Sequence, residues 1–152
     1  MMNQLYIRDY CPDDFGALCA LFLRAVRETA SRDYSPEQVA AWAQIDESLW
    51  RKKFSCSDVS VAIYQGDVAG FIAVQNDYID LLYVSPECAR RGIATALLSH
   101  LQRQHPQTRF RVEASITARP FFQQQGYWVV KAQQVEVRGR VFTNYVMHKA
   151  ST

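Results

Sequence analysis

Apolar positions recur with two different periods along the chain, and the changes of period mark the elements. Leu5 and Ile7 alternate with polar neighbours, as in a short strand. Pro12-Asp13-Asp14 then supply a turn and acids suited to a helix N-terminus. Phe15, Leu18, Cys19, Phe22 and Val26 follow at three- and four-residue steps, which predicts one helical face through about Thr29, with Arg24, Arg27 and Glu28 on the wet side. Ser35-Pro36-Glu37-Gln38 reads as a capping box for a second helix carrying Val39 and Trp42. A short helical stretch after Asp46 would present Leu49, Trp50 and Phe54 to the core.

From Asp58 the period is two. Val59, Val61 and Ile63 alternate, Gln65-Gly66-Asp67 turns, and Val68, Gly70, Ile72 and Val74 alternate back, so a hairpin is predicted. Gln75-Asn76-Asp77 turns again into Tyr78 to Val84, apolar on both faces except for Asp80 and therefore central. Gly92 opens a helix with an Ile93, Leu97, Leu98, Leu101 stripe that ends at His105-Pro106. Phe110 and Val112 begin a strand, Thr117 is placed to cap a short helix stopping at Gly126, and two strands joined around Arg138-Gly139-Arg140 complete the order β-α-α-β-β-β-α-β-α-β-β. The crossover from Tyr78 to Glu113 makes those two strands parallel. No repeat or linker interrupts the pattern, so residues 1–152 read as one α/β (α+β) domain.

Composition removes several classes. A net charge of +2 gives no field for nucleic acid or an anionic membrane. The longest apolar run, Ala17 to Leu23, is too short to span a bilayer. The start, Met1 to Asp9, lacks the regions of a secretion signal, so a cytoplasmic location is expected. Cys11, Cys19, Cys56 and Cys88 lack metal or disulfide spacing and read as reduced, mostly buried thiols. His100, His105 and His148 form no ligand set with them, so no metal is expected.

One segment carries chemistry. Val84 to Leu98 runs from a buried strand through a turn into a helix whose start is rich in small residues. Free N–H groups and the helix dipole favour an anion there, Gly92 and Ala94 allow close approach, and Arg90 and Arg91 add charge. Taken alone, an Arg-Gly pair in such a turn also fits a plain surface loop. The segment resembles the phosphate-binding signature of the GNAT superfamily of acyl-CoA-dependent N-acetyltransferases, with Ala89 where Gln or Arg is usual. Phe121-Phe122-Gln123-Gln124-Gln125-Gly126-Tyr127 resembles its second signature, and the element order matches. With Tyr34-Ser35-Pro36, Ala41 to Ser48 and Phe142-Thr143-Asn144, the whole chain is most similar to the YafP-type acetyltransferases.

The resemblance implies a bent mixed sheet with helices on both faces and acetyl-CoA, as cosubstrate, lying where two parallel strands splay. Leu82, Tyr83 and Val84 would then meet the pantetheine, and Arg90, Arg91, Gly92, Ile93, Ala94 and Thr95 the pyrophosphate. Ser115 stands where many relatives place an Asn facing the cofactor, and Phe122 stands in place of a Tyr that commonly protonates the CoA thiolate. Tyr145, Tyr78 or solvent would take that role. An alkylamine with a pKa of about 10 is roughly one part in a thousand neutral at pH 7, so its proton needs a route out. The resemblance directs that role to Asp80 or Tyr78; Asp80, the only acid of its strand, could act through a water or attract the substrate ammonium. Phe22, Tyr34, Trp42 and Trp50 would cover the acceptor side, with Glu28, Asp33 or Glu37 favouring cations. Arg138 and Arg140 read as solvated.

Two function classes follow: direct transfer of acetyl to an amine of a small molecule or peptide, or a non-catalytic acyl-CoA-binding module. Neither needs nucleic acid or a membrane, and both leave a homodimer open.

Overall fold

The computed structural model describes residues 4–150. Met1 to Asn3, the beginning of the segment read for a signal peptide, lie outside the described residues, as do Ser151 and Thr152. Strands β1 (Leu5–Asp9), β2 (Asp58–Tyr64), β3 (Asp67–Gln75), β4 (Tyr78–Val84), β5 (Arg111–Ser115), β6 (Tyr127–Val137) and β7 (Arg140–Lys149) form one sheet in the order β1-β2-β3-β4-β5-β7-β6. Helices α1 (Phe15–Arg24), α2 (Pro36–Trp42), α3 (Glu47–Cys56), α4 (Ile93–Gln104) and α5 (Arg119–Gln124) cover it. The stretch after Asp46 is thus a helix of its own, α3, added to the expected order.

Each sheet face has its own core. On one, α4 lays Ile93, Leu97, Leu98 and Leu101 against Ile72, Val74, Ile79, Phe110 and Val112. On the other, α1 and α3 bring Phe15, Leu18, Phe22 and Phe54 onto Val59, Val61, Phe71 and Leu81. Strands β2 and β3 are covered on both sides, so they are buried almost throughout. The turn between them has Gln65 at φ 52° and Gly66 at φ 87°, the primed geometry that matches strand twist.

Several local expectations change. Leu49 faces solvent with 62% of its surface exposed, whereas Trp50 and Phe54 pack inward as expected. The first helix tightens and loosens instead of running on: Pro12–Asp14 is a 3₁₀ turn, and Ala25–Thr29 is a π-helical turn. Thr117 does not cap α5, because its hydroxyl donates to Asp33 Oδ2 at 2.7 Å. Arg138 is not merely solvated; its Nη1 donates to the Ala41 carbonyl at 2.7 Å and ties the β6–β7 tip to α2. Cys11 and Cys56 are exposed, and Cys19 and Cys88 only half-buried. Cys11 and Cys56 stand at element ends, while Cys19 and Cys88 pack at the margins of the two cores.

Strand β4 sits at the centre of the sheet and carries its decisive irregularity. Ala73 opposes Leu81 and Val74 opposes Ile79, so Asp80 is an unpaired bulge residue. Beside it, the parallel pairing of β4 with β5 is restricted to Tyr78↔Arg111 and Ile79↔Val112. Beyond Ile79 and Val112 the two strands separate.

A candidate acyl-transfer site between splayed strands

The split between β4 and β5 opens a cavity of about 230 Å³. Ile79, Leu82, Val112, Ala114 and Phe122 line it from the α4 side, while Tyr34, Trp42, Asp80, Glu113, Phe142 and Asn144 line it from the other. The gap therefore joins the two faces of the sheet. Strand atoms that would pair in a closed sheet are left free to meet an extended ligand bearing amides.

At the C-terminal end of β4 lies a second cavity of about 290 Å³, bordered by Val84, Ser85, Arg90, Gly92, Ile93, Ala94 and Thr95. Arg90 at φ 63° and Gly92 at φ 76° bend the chain into a concave run of amides just before α4. First-turn amides have no intrahelical acceptor, so this concavity offers donors and the positive end of a helix dipole to a phosphate. Arg91 is turned aside, 6.0 Å above the Tyr64 ring. The backbone, with Arg90 at its rim, forms the cradle.

The loop entering the cradle is anchored from outside. Arg24 Nη2 donates to Ser85 Oγ at 3.2 Å, its Nε lies 3.3 Å from Glu87 Oε1, and the buried Ser85 hydroxyl also donates to Glu87. Arg24, read as a wet-side residue, thus joins α1 to the turn after β4. Thr29, on the π-helical turn, reaches the same cavity.

Asp80 turns toward α3, where Lys53 Nζ lies 3.1 Å from its Oδ2. Tyr78 shares that side: burial, reinforced by the carboxylates of Glu113 and Asp80, pushes its phenol up to about 12. It keeps its proton at neutral pH and so is a hydrogen-bond donor rather than a base. Arg111 covers the Tyr78 ring at 4.8 Å. Asp80 and Glu113 are the acids that line the cavity, and Glu113 accepts from Gln133 Nε2 at 3.2 Å. Glu28, Asp33 and Glu37 do not line it, because Asp33 turns to Thr117 and the other two face solvent.

The remaining candidates divide by face. Ser115 lines the cavity and accepts from Ala118 N at 3.0 Å. Phe122 also lines it, 2% exposed, its ring edge-to-face with Tyr127 at 5.2 Å. Tyr145 packs on the α4 side beneath Arg119, whose guanidinium carbon is 4.6 Å from the ring centre. Asp80, Ser115 and Phe122 thus line the cavity together, whereas neither Tyr78 nor Tyr145 borders it. Tyr83 bridges the gap wall and the α1 core; burial raises its phenol, against the partial help of Trp42.

Lys53, Glu113 and Asn144 escaped the sequence reading as site residues, whereas Tyr34 and Trp42, of the four aromatics expected on the acceptor side, do line the cavity. Glu113 had a signal, since it is the only acid of β5. Asn144, with a buried Oδ1 lacking a partner, and Tyr34 come from segments far from the motif, and only tertiary structure brings them to the gap.

The Acetyltransferase (GNAT) domain family matches residues 30–149. The chain belongs to the GNAT acetyltransferases. It is 52% identical over 146 residues to the Uncharacterized N-acetyltransferase YafP of Escherichia coli (strain K12), covering 96% of each chain. Among solved structures, a GCN5-related N-acetyltransferase from Rhodopseudomonas palustris superposes with a TM-score of 0.92 at 30% identity, over 99% of both chains. The acetyltransferase yncA from Salmonella typhimurium, solved with its cofactor acetyl-CoA, shares the fold with a TM-score of 0.68 at 18% identity, over 95% of this chain and 92% of its own. This GNAT chain is therefore an N-acetyltransferase in its family and its fold. No helix among the described residues is long and apolar enough to cross a membrane.

Proposed function

We propose that the protein, acting as a single catalytic domain, transfers acetyl directly from acetyl-CoA to an amine of a small molecule or peptide. The observation that carries this reading is the succession of two cavities along β4: Leu82 and Tyr83 line the split from β5, and the next residues, Val84 and Ser85, border the amide cradle before α4. The cradle suits the pyrophosphate, and the free strand segments around Leu82 to Val84 suit the pantetheine amides. That arrangement directs the thioester into the gap, between Phe122 on one side and Asp80 on the other.

Asp80 is the proton acceptor of this reading. As a carboxylate at the gap it takes the ammonium proton, directly or through a water, and Tyr78 holds the neighbouring position with its own proton in place. Lys53, paired with Asp80, keeps the carboxylate oriented. Glu113 adds a second negative charge to the acceptor wall, which favours amines arriving as cations. Direct transfer needs no acyl-enzyme: the nearest thiol, Cys88, borders the cradle, and burial raises it away from thiolate. The four unpaired cysteines suit a reducing compartment such as the cytoplasm.

Calorimetry with acetyl-CoA, followed by thiol release against a panel of amines, tests this reading. Saturable binding and amine-dependent thiol release are expected. Tight binding with no release by any amine would instead identify an acyl-CoA-binding module.

A further inference from the structure

Expulsion of a thiolate is easier when a proton is delivered to sulfur as the bond breaks, and Phe122 has no proton to give. The hydroxyls lining the gap belong to Tyr34, Tyr83, Ser115 and Thr143. Ser115 and Thr143 are alkyl alcohols, too weak as acids for this step. Tyr83 is held in the α1 core, its ring 4.9 Å from Phe22 and 5.9 Å from Phe71. Tyr34 differs in how its oxygen is used.

Tyr34 Oη accepts the Ile116 amide at 2.8 Å, and the Ser115 hydroxyl lies alongside. With a lone pair engaged, the phenol must send its own proton elsewhere, and the neighbouring Ser115 Oγ already accepts from Ala118 N. The ring cannot swing away, since Trp42 and Phe142 flank it at 5.2 and 5.7 Å. Burial raises the phenol, so it is protonated at neutral pH, and the amide that holds the oxygen would also stabilise the phenolate left after transfer. The Ile116 contact belongs to the loop that runs from Ser115 into α5, the helix carrying Phe122.

We infer that Tyr34 is the general acid of the transfer, delivering its phenolic proton to the CoA sulfur from the acceptor-side wall that it shares with Ser115. This assignment rests on the acetyl-transfer reading above. In the step, the carbon–sulfur bond of the tetrahedral adduct breaks, its electron pair passes to sulfur, and sulfur takes the Tyr34 proton. The phenolate, held by Ile116 N–H, regains a proton from the acceptor nitrogen or solvent. Of the two protons that the ammonium sheds, one replaces that on sulfur and the other leaves through Asp80.

The test compares thiol release by the parent, Tyr34→Phe, Phe122→Tyr and the double variant, with acetyl-CoA affinity and melting temperature measured for each. Tyr34→Phe is expected to lower kcat by ~10²-fold while KM values stay within about threefold. Phe122→Tyr in that background is expected to restore at least about tenfold, because it returns a phenol to the same cavity. Should Tyr34→Phe fold poorly, 3-fluorotyrosine at position 34 keeps the ring and the Ile116 bond while making the phenol more acidic, and kcat should change. An active parent whose Tyr34→Phe variant keeps kcat within about twofold overturns this assignment alone. So does a fluorinated enzyme with unchanged kcat. A parent that binds acetyl-CoA yet releases no thiol with any amine overturns the transferase reading as well.

Discussion

The two ends of the gap between β4 and β5 are built in opposite ways. The cradle before α4 comes from one contiguous segment, Val84 to Thr95, and its donors are backbone amides. The acceptor cavity gathers side chains from β4, β5, β7, α2 and the loop before it, and its character depends on each one. A site made of amides tolerates side-chain change, which accounts for Ala89 where the family usually has Gln or Arg. A site made of side chains is fixed by packing: Tyr34, Trp42 and Phe142 touch one another at 5.2 to 6.1 Å, and none can change without the others.

Substitution at each end sharpens the contrast. Asp80→Asn retains shape and removes basicity, so kcat should fall by ~10²–10⁴ with acetyl-CoA affinity unchanged. Steady-state kinetics beside calorimetry reads both quantities, and full activity in this variant would leave Asp80 a structural residue. Gly92→Glu attacks the cradle through its backbone. A Cβ there meets nothing within 4 Å, so the damage comes from φ 76° and from a negative charge at the anion site, not from bulk. Acetyl-CoA should bind at least about tenfold more weakly, the equivalent of ~1.4 kcal/mol. Parent-like affinity would remove the cradle from the proposal.

Gly70 supports both ends, since it opposes Val84 where β4 turns toward α4. A Cβ at Gly70 would lie 2.9 Å from the Tyr83 carbonyl oxygen, 3.0 Å from Ile93 Cγ2 and 3.2 Å from Leu97 Cδ1. Gly70→Ala should therefore cost ~1–3 kcal/mol in denaturant unfolding, with backbone and helix both forced to shift. Arg91→Ala should be the mildest change. The side chain points toward Tyr64 and an exposed charge contributes ~0–1 kcal/mol, so acetyl-CoA affinity should stay within about fivefold by titration. A larger loss would show that side chains, and not only amides, make the cradle.

The same contrast explains what could be read from the sequence. Local signals carried the cradle: the strand ending at Val84, the glycine at the start of α4 and its Ile93 to Leu101 stripe stand within a few turns of one another. The hairpins were legible because Gly66 and Gly139, at φ 87° and 81°, tolerate the positive φ that such tight turns need between alternating strands. The acceptor cavity was legible only in part: Asp80, Leu82, Tyr83, Ser115 and Phe122 were named for it, while the use of the Tyr34 oxygen and the presence of Glu113 and Asn144 were not. Tyr34 sits immediately before a capping box, where a hydrophobic staple is the ordinary expectation, and its partner Ile116 is 82 positions away. Arg24 and Arg138 likewise looked solvated because their acceptors, at Ser85 and Ala41, are distant in sequence. The Asp80–Lys53 pair joins β4 to a helix whose polar face gives no hint of a partner on the sheet.

The Asp80 bulge separates chemistry from architecture. Read without Asp80, strand β4 alternates regularly: Ile79 and Leu82 serve the α4 core, while Leu81 and Tyr83 serve the α1 core. Both cores are satisfied by a strand one residue shorter, so the acid is an insertion that neither core registers. Exchange of the side chain at that position therefore leaves both apolar cores intact and removes only its ion pair with Lys53. Reactivity at the gap and persistence of the sandwich thus rest on different residues of the same strand.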